Sequence, residues 1–148
     1  MKNFIVLFGL GAFGYGLIEV CWRGYSHWSM MIAGGIIFIL FALIDQKLAG
    51  VHLLYKCILG SLAVTLLELV FGCIFNLALG MKVWDYSKIP LNLFGQVCLL
   101  FSVLWGFLSF IAIPAAGVLF RKLSHQRYLK PSEGRKAYEL FAQGLGRD

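Results

Sequence analysis

The chain has 148 residues, of which 60% are hydrophobic and 14% charged, and its mean hydropathy is +0.82. Soluble domains carry about a quarter charged residues, so this composition excludes a soluble fold. The net charge of +6 does not call for nucleic acid. Seven of the thirteen Lys and Arg residues lie after Phe120 and belong to one tail, a pattern that suits a cytoplasmic membrane face.

Apolar residues gather in four blocks, each near the roughly 20 residues needed to cross about 30 Å of hydrocarbon. The first predicted span covers residues 3–21. It begins like a signal peptide, with Lys2 and an apolar run, but no small-residue cleavage site precedes Trp22-Arg23. A short loop, 22–28, leads to a second span over 29–44, closed by Asp45, Gln46 and Lys47. Residues 48–56 form an apolar, interfacial loop, and a third span covers 57–79, ended by Gly80. The polar and aromatic loop 81–90 follows. A fourth span covers 91–120, long enough to tilt strongly or to bend at Pro114. Spanning strands would alternate apolar and polar residues, and 36–44 and 99–108 do not. The expected fold is an all-α integral membrane bundle of four transmembrane helices (residues 1–120) with a short amphipathic, basic tail (121–148). The tail is a juxtamembrane basic stretch, 121–130, followed after Pro131 by a run over 133–143. That run reads either as a short helix capped by Ser132, with Ala137, Tyr138, Leu140 and Phe141 on one face, or as a solvated tail.

Basic residues set the expected orientation. With the N-terminus inside, Lys2, Lys47, Lys56 and the whole tail are cytoplasmic, and Arg23, Lys82 and Lys88 lie outside. The positive-inside bias favours both termini in the cytoplasm, with the protein a multi-pass component of the cytoplasmic (inner) membrane.

Gly9-Leu10-Gly11-Ala12-Phe13-Gly14 matches a dinucleotide-binding glycine pattern, yet no βαβ unit follows and Glu19 comes too soon for the ribose contact. The helical reading is better: Gly9, Ala12, Gly16, Glu19 and Arg23 share a face whose small residues allow close helix approach in lipid. Gly95, Ser102, Gly106 and Ser109 form a second small-residue face. Cys21, Cys57, Cys73 and Cys98 show no CxxC spacing and read as small apolar residues. His27, His52 and His125 are isolated and are not read as ligands, so no metal and no cofactor is expected.

The strongest functional signal is the pair of intramembrane carboxylates. A charge at mid-membrane costs on the order of 3 kcal/mol and must face protein or water. Glu19 lies near the end of the first span with Arg23 one turn beyond, and Glu68 lies near the middle of the third. Asn76 is two turns beyond Glu68 on about the same face. The loop adds Trp84, Asp85 and Tyr86, and the fourth span opens with Asn92 and Gln96 one turn apart. Together these nine residues predict a polar substrate- or ion-binding cavity open to the outside and floored by Glu68. A packed polar network that sets helix register is the structural alternative, and Trp84 and Tyr86 read equally as interfacial anchors.

Several of these residues also carry a resemblance. Gly14-Tyr15-Gly16-Leu17-Ile18-Glu19 with Arg23, the intramembrane Glu68, Trp84-Asp85-Tyr86-Ser87 with Pro90, Asn92 and Gly95, and Trp105-Gly106 resemble the CmpB family of ABC-transporter type IV membrane proteins. The transmembrane-protein-229 group is similar to it. The resemblance covers about 14–106 and implies a small multi-helix membrane protein, with Glu19, Arg23, Trp84, Asp85, Asn92 and Gly95 at motif positions. It implies a permease, although Gly9 to Gly14 is no substitute for the phosphate-binding loop of an ATPase.

The expectation is therefore a small transporter or transporter subunit for a polar or cationic solute. Four spans are few for a complete alternating-access pathway, which favours a homo-dimer or a subunit of a larger membrane assembly among membrane lipids. An enzyme acting on a lipid-like substrate through Glu19, Glu68 and Asp85 is the alternative. It would lack a Ser/His/Asp set and an HExxH motif. A structural or regulatory subunit is the third reading.

Overall fold

A computed structural model describes residues 2–129. Among the described residues, four helices are long and apolar enough to cross a membrane. Within hydrocarbon every backbone N–H and C=O needs an internal partner, and the α-helix supplies one from its own segment. Helix α1 spans Lys2–Arg23, α2 Trp28–Lys47, α3 Leu53–Phe71 and α4 Leu99–Leu129. The connections explain the boundaries. Gly24 takes φ +82° while its N–H closes on the Val20 carbonyl, which ends α1. His27 and His52 cap α2 and α3 by accepting from the backbone N–H of Ser29 and Leu54, each at 3.3 Å. Two histidines unassigned from the sequence thus have structural roles.

The second helix is central and packs against the other three. Leu7, Ile37, Phe41, Ala42, Val64, Ile113 and Ala116 form the core around it. Glycines decide how closely α1 and α2 approach. A Cβ at Gly11 would lie 2.6 Å from the Gly34 carbonyl oxygen, and one at Gly34 would lie 2.3 Å from the Tyr15 Cβ. The seam of α1 therefore runs through Phe8, Gly11 and Tyr15, against Gly34 and Gly35. Of the predicted small face, Gly16 is buried, whereas Gly9 is exposed with open space around it. The glycine pattern at 9–14 lies within a helix. In α4 the predicted face holds from Ser102 onward. Ser61 donates to the Ser102 carbonyl at 2.5 Å, Thr65 donates to the Ser102 hydroxyl at 2.8 Å, and Ser109 is fully buried.

The fourth span differs from expectation at both ends. Residues 91–98 are not helical: Asn92–Leu93 (β1) pairs antiparallel with Val97–Cys98 (β2) through a turn in which Phe94 and Gly95 take φ of 53° and 67°. Asn92 explains the difference. Its amide donates to the Ser87 and Ile89 carbonyls and its side-chain oxygen accepts from Gly95 N–H, fixing a turn that competes with the helix. At the other end α4 runs through Pro114 and continues past Phe120 to Leu129, so much of the basic stretch is helical. The predicted helix over 133–143 lies outside the described residues.

The third helix passes directly into a π-helical turn, Gly72–Ala78. Such turns are uncommon and concentrate near functional sites. Gly72 is required there, since a Cβ would meet the Gln96 side-chain oxygen at 2.5 Å.

Candidate functional site

The start of α1 and the last turns of α4 meet at one end of the bundle, here the termini end, where Asn3 donates to the Ser124 hydroxyl at 3.1 Å; the loop over 80–98 lies at the other, and buried charge collects at both. At the loop end, Glu19 is 9% exposed on the last turns of α1. One carboxylate oxygen accepts from Arg23 and the other from the Ser26 hydroxyl at 2.5 Å. The other terminal nitrogen of Arg23 donates to the Val83 carbonyl at 2.8 Å, and its guanidinium lies 4.8 Å from the centre of the Tyr25 ring. The i, i+4 spacing makes the pair local, and the bond to Val83 ties α1 to the loop. Arg23 Nε is buried without a partner.

The loop is held by its own polar residues. Asn76, carried out of α3 by the π turn, donates to the Trp84 carbonyl at 2.9 Å and to the Gln96 side-chain oxygen at 2.7 Å, and accepts from Val83 N–H at 2.6 Å. The Trp84 indole donates to the Gln96 carbonyl at 2.8 Å, and Tyr86 N–H donates to the Gly95 carbonyl at 2.8 Å. Asp85 is exposed and accepts from Ser87 N–H at 2.8 Å. The hydrogen bonds from the backbone and side chain of Ser87 hold its carboxyl below the ordinary carboxylate range. Tyr86 stacks on Phe101 with ring centres 4.6 Å apart. Burial, and then the negative charge of Glu68, push its phenol up, so it stays protonated at any physiological pH.

Beneath this roof a cavity of about 630 Å³ opens between α1 and α4. Its walls carry Tyr15, Leu17, Glu19, Trp22 and Arg23 from α1, Met30 from α2, Trp84 and Tyr86 from the loop, and Phe101, Leu104 and Trp105 from α4. Tyr15 and Trp105, both on its wall, stack with ring centres 5.9 Å apart. Glu68, 5% exposed, is not on the wall but lies against the Trp105 indole, whose Nε1 has no well-aligned partner.

Of the nine sequence-predicted residues, Glu19, Arg23, Trp84 and Tyr86 line the cavity and Glu68 stands behind it. Asn76, Asp85, Asn92 and Gln96 instead bond within the loop and hairpin. The walls are predominantly aromatic and aliphatic. Ser26, Tyr15 and Trp105 were not singled out as site residues, although Tyr15 and Trp105 stand within the motifs that carry the resemblance.

A second charged cluster lies at the termini end, built from residues far apart in the chain. Asp45, 8% exposed, accepts from Lys56 at 2.8 Å through one oxygen and from Arg121 at 2.6 Å through the other. A Cβ at Gly117 would sit 1.9 Å from the Asp45 carboxylate, so only glycine leaves room for the network.

In comparisons with known proteins, no curated protein and no solved structure matches this chain. A family model described as "Putative ABC-transporter type IV" matches residues 3–131, which include all four spans and the loop. With the loop motif that builds the cavity roof and the four spans that build its walls both inside that match, the chain belongs to the CmpB-type ABC-transporter type IV family of multi-pass membrane proteins.

Proposed function

We propose that the protein is a transporter, or the membrane subunit of one, that holds a cationic solute in the cavity at the loop end. The observation that carries this reading is an imbalance of buried charge. Two carboxylates, Glu19 and Glu68, stand at or behind the cavity with one cation, Arg23, which already bonds to Glu19. Glu68 has no cationic partner among the described residues. An intramembrane carboxylate without a counter-charge is costly, and binding a cation or a proton offsets that cost. The family membership supports a transport-type role. Both termini then face the cytoplasm and the cavity lies in the outer half of the membrane, which the basic residues of the tail favour.

An enzyme acting on a lipid-like substrate is the second reading, favoured by the apolar walls at membrane depth. Asp85, the third carboxylate such an enzyme would use, is exposed on the loop and absent from the wall.

Reconstitution in liposomes tests the transport reading. Uptake of an organic cation by the wild type, abolished in Glu68→Gln at equal incorporation, is the expected result. Equal uptake in both would overturn the role of Glu68. Orientation is tested in cells with Cys21 and Cys73 replaced by Ala. An impermeant thiol reagent should label Lys88→Cys and not Lys130→Cys, and the reverse pattern would place the cavity on the cytoplasmic side.

A further inference from the structure

We propose that the cavity takes a lipophilic organic cation, one whose charge is shielded by an aromatic body, and that it enters from the bilayer through the side opening between α1 and α4. This rests on the cation-binding role given to Glu68 above and adds to it the ligand class and the route.

The route follows from which residues do two things at once. Leu17, Ile18 and Trp22 of α1 and Leu104 of α4 line the cavity, yet they are 54%, 52%, 80% and 48% exposed on the surface of the bundle. All but Trp22 stand well inside apolar spans, so that surface faces lipid. A residue that borders both the cavity and the lipid marks an opening between them. Beneath the loop the way in is covered. Trp84 is 9% exposed and bonded to Gln96, Tyr86 is stacked on Phe101, and Arg23 pins the roof through the Val83 carbonyl.

The ligand class follows from the walls. A small, strongly hydrated cation entering here would lose its water shell and find few oxygen atoms to replace it. The Glu19 carboxylate is already shared between Arg23 and Ser26. A cation with a large apolar body loses little hydration and gains burial against Leu17, Leu104 and Phe101. Tyr15, Trp84, Tyr86 and Trp105 line the cavity, and an aromatic face attracts positive charge within about 6 Å of the ring centre. Glu68, behind Trp105, supplies the net negative charge that selects a cation over a neutral molecule of the same shape. A volume of about 630 Å³ falls in the range that encloses drug-sized ligands.

The test uses purified protein in lipid nanodiscs and three probes: tetraphenylphosphonium, its near-isosteric anion tetraphenylborate, and the hydrophilic cation tetraethylammonium. Tetraphenylphosphonium should bind at least roughly tenfold more tightly than either of the others, a discrimination that one added contact can produce. Leu104→Trp and Leu17→Trp, which narrow the side opening at lipid-facing positions, should slow its association several-fold. Leu66→Trp is the control, equally lipid-facing on α3 but away from the cavity. Binding of tetraethylammonium in preference to tetraphenylphosphonium would overturn the lipophilic class and leave the cation reading standing. Preference for tetraphenylborate would show that Arg23 dominates and would overturn both. Unchanged association in Leu104→Trp and Leu17→Trp, with the preference for tetraphenylphosphonium intact, would overturn the lateral route alone.

Discussion

The two ends of the bundle bury similar charges to opposite effect. At the termini end one acid, Asp45, meets two bases, each of its oxygens accepts a hydrogen bond, and Gly117 leaves no space beside it. At the loop end two acids meet one base, the acid without a base sits behind an aromatic wall, and a cavity lies beyond that wall. A charge cluster whose acid is fully bonded, with no open volume beside it, fixes helix positions. On the function proposed above, one left with an excess acid beside open volume holds something that comes and goes. The contrast then separates two meanings of an intramembrane charge, as structural tie and as site.

The largest effect is expected where the network is closed. Asp45→Asn leaves Lys56, itself 8% exposed, without its counter-charge and should cost about 3–5 kcal/mol of stability. Asp45→Asn combined with Lys56→Gln should recover much of that loss. Thermal unfolding in a mild detergent measures both, and a full loss persisting in the double variant would show that the ion pair is not what the site contributes.

Next in size is the Glu19–Arg23 pair. Each single change to Gln leaves a partner partly buried, so a double-mutant cycle should return a coupling of about 0.5–3 kcal/mol. Strict additivity would make the contact between them energetically idle and shift the role of Arg23 to its bond with Val83.

The smallest effect belongs to Asp85, which is fully exposed. Its carboxyl titrates below its ordinary value, so its support of the loop is complete above the ordinary carboxylate pKa and is lost as pH falls through the lowered one. Amide exchange at Ser87 should accelerate over that acidic interval in the wild type and be independent of pH there, once the intrinsic exchange rate is removed, in Asp85→Asn. Matching profiles would mean that the hydrogen bond does not form in solution.

The four spans were legible because hydropathy over some 20 residues is a strong signal, and so was the Glu19–Arg23 pair, which is local at i, i+4. Much of the rest depends on partners distant in the chain. Glycines at 9, 11, 14 and 16 cover two faces of α1, and only the presence of Gly34 and Gly35 across the interface selects Gly11 over Gly9. Asp45 read as a helix end, and Lys56 and Arg121 as orientation signals, because a contact spanning 76 positions leaves no trace in periodicity. Asn92 and Gln96 read as the start of a helix because residues 91–101 are mostly apolar. The turn signals at Pro90, Asn92 and Gly95 were present and outweighed. That Glu68 must be buried against protein was legible from its place in an apolar run, but its position against Trp105 and off the cavity wall was not.

Placing Glu68→Gln beside Asp45→Asn, with stability and ligand response read from the same samples, sets the two ends against each other. In the wild type, tetraphenylphosphonium should raise the unfolding temperature. Glu68→Gln should keep the ligand-free unfolding temperature within a few degrees of wild type and lose the ligand-induced rise. Asp45→Asn should lower the ligand-free temperature strongly and, wherever it remains folded, keep the rise. A Glu68→Gln protein that retains the full ligand response, or that unfolds as readily as Asp45→Asn, would show that the acid at the loop end is a structural tie like its counterpart and not a site.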